Sequence, residues 1–253
     1  MFSRGKLKDL VSLLSGRDFE ARDYKESIAE DSFRKLTEGI KHFMHQYYFE
    51  QFVLAIKNAG FISNKLINSQ NALDFAYVVF LNLILSDEVD KVEIKRYVSK
   101  WFVMSILTGR YSGSPETRMD MDIRNINEKG VVRYLKEIED AELSEAFWNY
   151  GLVQRLETPN SSAPALSTYF AAQIVNGDKG LFSATSTVRD LYGASDVHHI
   201  FPKHYLQKVD KLNVRSIYNQ VANYTYLDTP VNIKIGEKAP NEYFKDAFES
   251  AEQ

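Results

Sequence analysis

The chain has 253 residues, 44% hydrophobic and 13% aromatic, which suits one large or two modest domains and excludes a chain disordered by composition. It contains no cysteine, so disulfides and thiolate zinc sites are excluded and any metal must be held by His, Asp, Glu or Asn. The net charge of −3 and pI near 6.0 exclude a molecule that is basic all over, so any nucleic-acid surface must be a local patch.

The start, Met1-Phe2-Ser3-Arg4-Gly5-Lys6, is basic but no apolar signal core follows it, and no apolar run is long enough for a membrane span. The expected location is the cytoplasm. Leu7, Leu10, Val11 and Leu14 recur at helical spacing over residues 6–14. Residues 27–57 read as one long helix with Phe33, Ile40, Phe43, Tyr47, Phe52 and Ile56 on its apolar face, and its Tyr and Phe residues are expected in the core. Residues 70–85 and 92–107 are apolar enough to be buried helices. A Gly-Arg-Tyr-Ser turn follows, with Ser114 or Pro115 opening a helix to Ile126. Residues 131–138 and 144–150 predict shorter helices.

Residues 155–165, containing Pro159, Asn160, Ser161, Ser162 and Pro164, have linker composition. The domain boundary is placed here, giving a helical domain at 1–155 and a second domain at 156–253 with its core at 190–245. Residues 165–174 predict a helix. The β signal is confined to 196–202 and 222–228, and residues 241–251 predict a final helix.

The segment Asp196-Val197-His198-His199-Ile200-Phe201-Pro202 sets two adjacent histidines on an apolar strand that a proline ends. Asn223 and Asn232 follow it. Histidine titrates near cellular pH, which suits it to take a proton from water. Mg²⁺ keeps several waters and needs only one or two protein ligands beside a phosphate, while a His or Asn ligand also admits Mn²⁺, Ni²⁺ or Zn²⁺.

His198-His199-Ile200-Phe201-Pro202, the run Ala222 to Leu227 around Asn223, and Asn232-x-Lys234 together resemble the HNH, or ββα-metal, nuclease motif. Trp101-Phe102-x-x-Ser105-x-Leu107-Thr108-Gly109-Arg110-Tyr111-Ser112 and Lys238-Ala239-Pro240-x-Glu242-Tyr243 extend the resemblance, over about residues 75–245, to the C-terminal half of GmrSD-like restriction proteins. The resemblance implies a mainly α fold with a small α+β part, in which a helical region precedes a ββα-metal unit flanked by helices. It implies a metal-dependent DNA endonuclease of a bacterial restriction or phage-defence system. His199 is then the general base. His198 and Asn232 are metal ligands, with Asn232 at the start of a helix. Asn223 fixes the loop and orients His199 through its backbone or ring nitrogen. Histidine at position 198 replaces a carboxylate, so Asp196 is an alternative ligand. The family's N-terminal ParB-like nucleotide-binding domain carries an Asp-Gly-Gln-Gln-Arg-like motif that this sequence lacks, and no Gly-x-x-x-x-Gly-Lys-Ser/Thr loop is present. The chain is therefore expected to be the C-terminal part of a larger protein or one partner of a split pair.

Lys203, Lys208 and Lys211, with Arg215, cluster between the two β segments opposite Asp210, and Lys234, Lys238 and Lys245 follow. These are candidate DNA-phosphate contacts, or else they solvate a loop. Arg110 contacts DNA or braces the two domains. His42 and His45, expected on one helical face, and Asp120 and Asp122, expected on a solvated face or at a helix end, are read as structural. The alternatives to a DNA nuclease are a non-catalytic DNA-binding or partner subunit with a degenerate fold, and an RNA-cleaving relative. A single site cuts one strand per event, so double-strand cleavage calls for a homodimer or two encounters.

Overall fold

The computed structural model describes residues 5–157, 163–195, 197–208 and 211–251. These residues are mainly helical, with one two-stranded sheet among them. No helix among them is long and apolar enough to cross a membrane. Two compact units divide the chain: Met1–Asn58 with Ser69–Ser144, and Ala59–Asn68 with Glu145–Gln253. The sequence boundary was set at 155/156. The segments 59–68 and 145–155 belong to the second unit.

The first unit contains α1 (Leu7–Leu14), α2 (Glu26–Phe43), α3 (Gln46–Asn58), α4 (Gln70–Leu85), α5 (Lys91–Thr108), α6 (Pro115–Lys129) and α7 (Val131–Glu142). Ser69 caps α4 by accepting from the Ala72 amide at 3.2 Å, and α4 buries Phe75, Val79, Phe80 and Leu83. Helix α5 buries Ile94, Val98, Trp101, Phe102 and Ile106, and ends at Gly109, whose φ of 68° suits glycine. Proline opens α6 at its first turn.

A buried ion pair ties the end of α5 to α6. Arg110 Nη2 lies 2.5 Å from Asp122 Oδ1, and the two side chains are 1% and 0% exposed. The Asp122 carboxylate also accepts from the Tyr111 and Tyr134 hydroxyls at 2.7 Å each. Arg110 further pairs with Glu142 at 2.7 Å and sits 5.1 Å from the Trp101 ring centroid. Burial, then the Asp122 charge, raises the pKa of Tyr111 and keeps its hydroxyl a donor. The expectations for these residues are corrected. Arg110 is buried in this network, Asp122 is its counter-charge, and Asp120 is buried and bonded to the Gly5 amide and Arg124.

The predicted helix 27–57 breaks at Met44 and His45, so His42 lies on α2 while His45 precedes α3. At the break the Tyr77 hydroxyl donates to the Phe43 carbonyl at 2.8 Å and takes over an acceptor that the helix has released. Periodicity misses this because α3 carries its own buried face, Phe52, Ala55 and Ile56. The aromatic stripe expected in the core is mostly outside it: Phe52 is buried, whereas Phe33, Phe43, Tyr47 and Phe49 are more than half exposed.

In the second unit a π-helical turn, Phe147–Gly151, stands where a short α-helix was expected, and leads into α8 (Leu152–Leu156). Helix α9 (Pro164–Asn176) packs against the 59–68 segment. Gly60, with φ +90°, lies so near Ala171 that a Cβ would sit 2.1 Å from the Ala171 carbonyl oxygen. A Thr187–Asp190 capping box starts α10 (Val188–Leu191). Then come β1 (Val197–His199), α11 (Lys203–Lys208), α12 (Arg215–Tyr218), β2 (Tyr224–Tyr226), α13 (Thr229–Ile235) and α14 (Pro240–Ala251). Leu227, Ile235 and Tyr243 form a small core with Leu181, Phe182, Val231 and Phe244.

Replacing Asp122 by alanine is expected to lower unfolding stability by about 3–5 kcal/mol, because Arg110 would remain buried and unpaired. Glu142→Ala, at the half-exposed end of the network, should cost under about 1 kcal/mol. Urea denaturation of both variants checks the contrast.

Candidate functional site

Strand β1 pairs antiparallel with β2 in the register Val197↔Tyr226, His198↔Thr225, His199↔Tyr224. Residues directly opposite share a face, so Val197, His199, Tyr224 and Tyr226 lie on one side and His198 and Thr225 on the other. Both strands are shorter than their β signals. Pairing stops at His199, and the chain then turns into the loop held by Asn223.

Asn223 makes that turn. Its Oδ1 accepts from the Phe201 amide at 2.7 Å, and its Nδ2 donates to the Tyr218 carbonyl at 2.8 Å and the Phe201 carbonyl at 3.2 Å. Its own carbonyl accepts from the Ile200 amide at 2.9 Å. Asn223 thus ties the loop to the strand end, and among the described residues its side chain makes no hydrogen bond to the His199 ring. That contact belongs to Asn219, whose Oδ1 is 3.0 Å from His199 Nε2. Nothing in the sequence marked Asn219, although it stands one turn before Asn223. An amide oxygen only accepts, so Nε2 carries the proton of a neutral His199 and the basic lone pair is on Nδ1. The ring also packs 4.9 Å from that of Tyr224.

His198 faces the other way, toward α13. Its Nδ1 lies 2.8 Å from Asn232 Oδ1. The residue is only 6% exposed, and its Nε2 is buried without a hydrogen-bond partner among the described residues. Burial lowers its pKa, which keeps the ring neutral at pH 7. The ring stands edge-on to Tyr243, whose hydroxyl donates to the Ile200 carbonyl. Asn232 does not start its helix: α13 begins at Thr229, with Pro230 in its first turn. Asn232 is thereby set one turn in, at a height where it meets β1.

His198 and Asn232 are the residues that could hold a divalent cation here. Two neighbouring ligands of an octahedral ion at ~2.1 Å are roughly 3 Å apart, close to the 2.8 Å seen here. By the rule applied to His199, Nδ1 donates to Oδ1 here, so the pair could hold a cation only with the ring proton on Nε2, which is buried without a partner among the described residues. Among the described residues no three His, Asp or Glu side chains gather into a metal-holding group. Asp196, the alternative ligand, lies outside the described residues.

The basic candidates divide. Lys208 pairs with Glu237 at 2.6 Å and Lys238 with Asp246 at 2.6 Å. Asp210 lies outside the described residues, so the charge seen opposing this cluster is Glu237. Lys203 is exposed, with its Nζ 5.6 Å from the Tyr218 ring centroid. Lys211 and Lys234 are also exposed, as are Arg215 and Lys245.

No family model matches the chain, and no solved structure matches it. It is similar to an uncharacterized protein of Methanocaldococcus jannaschii, 26% identical over 152 residues, covering 60% of this chain. The chain covers 25% of that relative's length.

Asn223→Ala should cost roughly 1–3 kcal/mol, since backbone groups of Phe201 and Tyr218 lose their partner while buried or half-buried. Thermal unfolding followed by circular dichroism checks the loss. An unchanged melting temperature would contradict the role given to this side chain.

Proposed function

We propose that the chain is the nuclease part of an HNH-type, metal-dependent DNA endonuclease that hydrolyses phosphodiester bonds of foreign or modified DNA in a bacterial restriction or defence system. The observation that supports this best is the β–β–α juxtaposition, in which Asn232 on α13 meets His198 at 2.8 Å beside a ring-oriented His199. A divalent ion on His198 and Asn232, Mg²⁺ or alternatively Mn²⁺, Ni²⁺ or Zn²⁺, would offset the charge of the scissile phosphate. His199 lies on the opposite face of β1 from His198, so the two could serve one phosphate only at the strand end, where pairing stops. There His199 would take a proton from water on Nδ1, and Asn219 would steady the resulting imidazolium through Nε2–H. The water oxygen would bond to phosphorus as the bond to the leaving sugar oxygen breaks; that oxygen would take a proton from solvent water, and His199 would return its own to solvent. The exposed Lys203, Lys211 and Lys234 would contact phosphates without reading sequence.

In this reading the protein works in the cytoplasm with DNA and with a ParB-like nucleotide-binding domain or subunit. A second copy would be needed to cut both strands in one encounter. One observation favours the second reading, a non-catalytic DNA-binding or partner subunit: His198 Nδ1 is engaged by Asn232 and its Nε2 is buried.

The test is nicking of supercoiled plasmid by the purified chain in EDTA, Mg²⁺, Mn²⁺ or Ni²⁺, beside folded His199→Ala. Metal-dependent nicking that falls about 100-fold or more in the variant is expected for loss of a general base. An intact plasmid with every metal, or equal nicking by the variant, would overturn the reading.

A further inference from the structure

We propose that a cavity of the helical unit, between the starts of α3 and α5, binds a nucleotide, with its base on Tyr47 and Tyr48 and its phosphate on Lys91 and Lys95. The cavity measures about 350 Å³, within the range of small-ligand sites. Phe80, Ile84 and Ile94 supply an apolar floor, and Gln51 adds an amide able to bond a base edge. The break at Met44 and His45 builds the aromatic wall. It starts α3 afresh, so that the His45 ring stacks on Tyr48 at 4.3 Å and 25°, while Tyr47 stays 55% exposed. A buried core has no use for an exposed tyrosine beside a stacked His–Tyr pair; a planar ligand does.

The charge points the same way. Lys91 and Lys95 stand one turn apart on α5 and line the cavity, whereas none of the lining residues is acidic. Neither ammonium has a carboxylate partner among the described residues, whereas their helix neighbours Arg96 and Lys100 pair with Glu93 and Glu139. An aromatic wall on an apolar floor, an amide and two cations without a carboxylate partner among the described residues together match a nucleobase joined to a phosphate. Such a nucleotide arrives free in solution or within a single strand.

Binding is measured in EDTA, which silences any cleavage. The full chain is titrated with fluorescein-labelled oligothymidylate by anisotropy and with adenosine monophosphate by calorimetry, beside Tyr47→Ala and Lys91→Ala/Lys95→Ala, all at partly or fully exposed positions. Binding of either probe, weakened about tenfold or more in both variants, is expected. On oligothymidylate the salt dependence of log K should also flatten by roughly 0.7 in the double lysine variant, for the one phosphate it no longer neutralises. Adenosine monophosphate that binds and competes with the strand assigns the site to a free nucleotide. Strand binding that the monophosphate leaves untouched assigns it to a single strand. Failure of both probes, or binding indifferent to both variants, would overturn the proposal, as would duplex DNA bound as tightly as the single strand and unaffected by Tyr47→Ala.

Discussion

The hydrogen bonds of the Asn223 side chain are the constraint on which the candidate site depends. Strands of three residues are too short to hold a register by their own ladder. Asn223 closes the far end of that ladder by gripping Phe201 through both its amide and its carbonyl, and it anchors the grip to Tyr218. With the strand end fixed, His198 and His199 are committed to opposite faces. Each finds an asparagine from a different stretch of chain, His198 on α13 and His199 at the end of α12. Two adjacent residues thus acquire different environments, one buried and neutral, the other half-exposed with a basic nitrogen unengaged.

The helical unit uses the same device with charge in place of amides. Arg110 and Asp122 would be costly to bury separately, and the Tyr111 and Tyr134 hydroxyls satisfy the remaining lone pairs of the carboxylate. The residues of the Gly-Arg-Tyr-Ser turn that carry the family resemblance therefore hold α5, α6 and α7 together. The basic character available to ligands lies elsewhere, on side chains such as Lys91 and Lys95, which have no carboxylate partner among the described residues.

Helices with a continuous apolar face were legible in the sequence, because burial of Phe75, Phe80 or Phe102 imposes a period that the chain displays. The break at Met44 was not, since it depends on a hydroxyl from Tyr77, 34 residues away. Asp120 and Asp122 misled for the opposite reason: carboxylates normally signal solvent, and only a distant cation or amide permits their burial. Of the site, His198, His199, Asn223 and Asn232 were all visible as a pattern. The structure supplies the partition of their contacts. The ring partner of His199 is Asn219, in a stretch whose composition carries no signal, and Asn232 lies one turn inside a helix that Pro230 begins. The segments 59–68 and 145–155 show why a linker-like composition is a poor guide to a unit's limits: close packing at Gly60 joins a distant piece of chain to α9.

The central claim is that His198 and Asn232 are brought together to hold a divalent cation, and Mn²⁺ binding followed by electron paramagnetic resonance tests it most directly. Titration of the full chain should show one saturable Mn²⁺ site that is lost in a folded Asn232→Ala variant and displaced by Mg²⁺. Mn²⁺ bound equally by the wild type and the Asn232→Ala variant, or not bound by the wild type at all, would contradict the account.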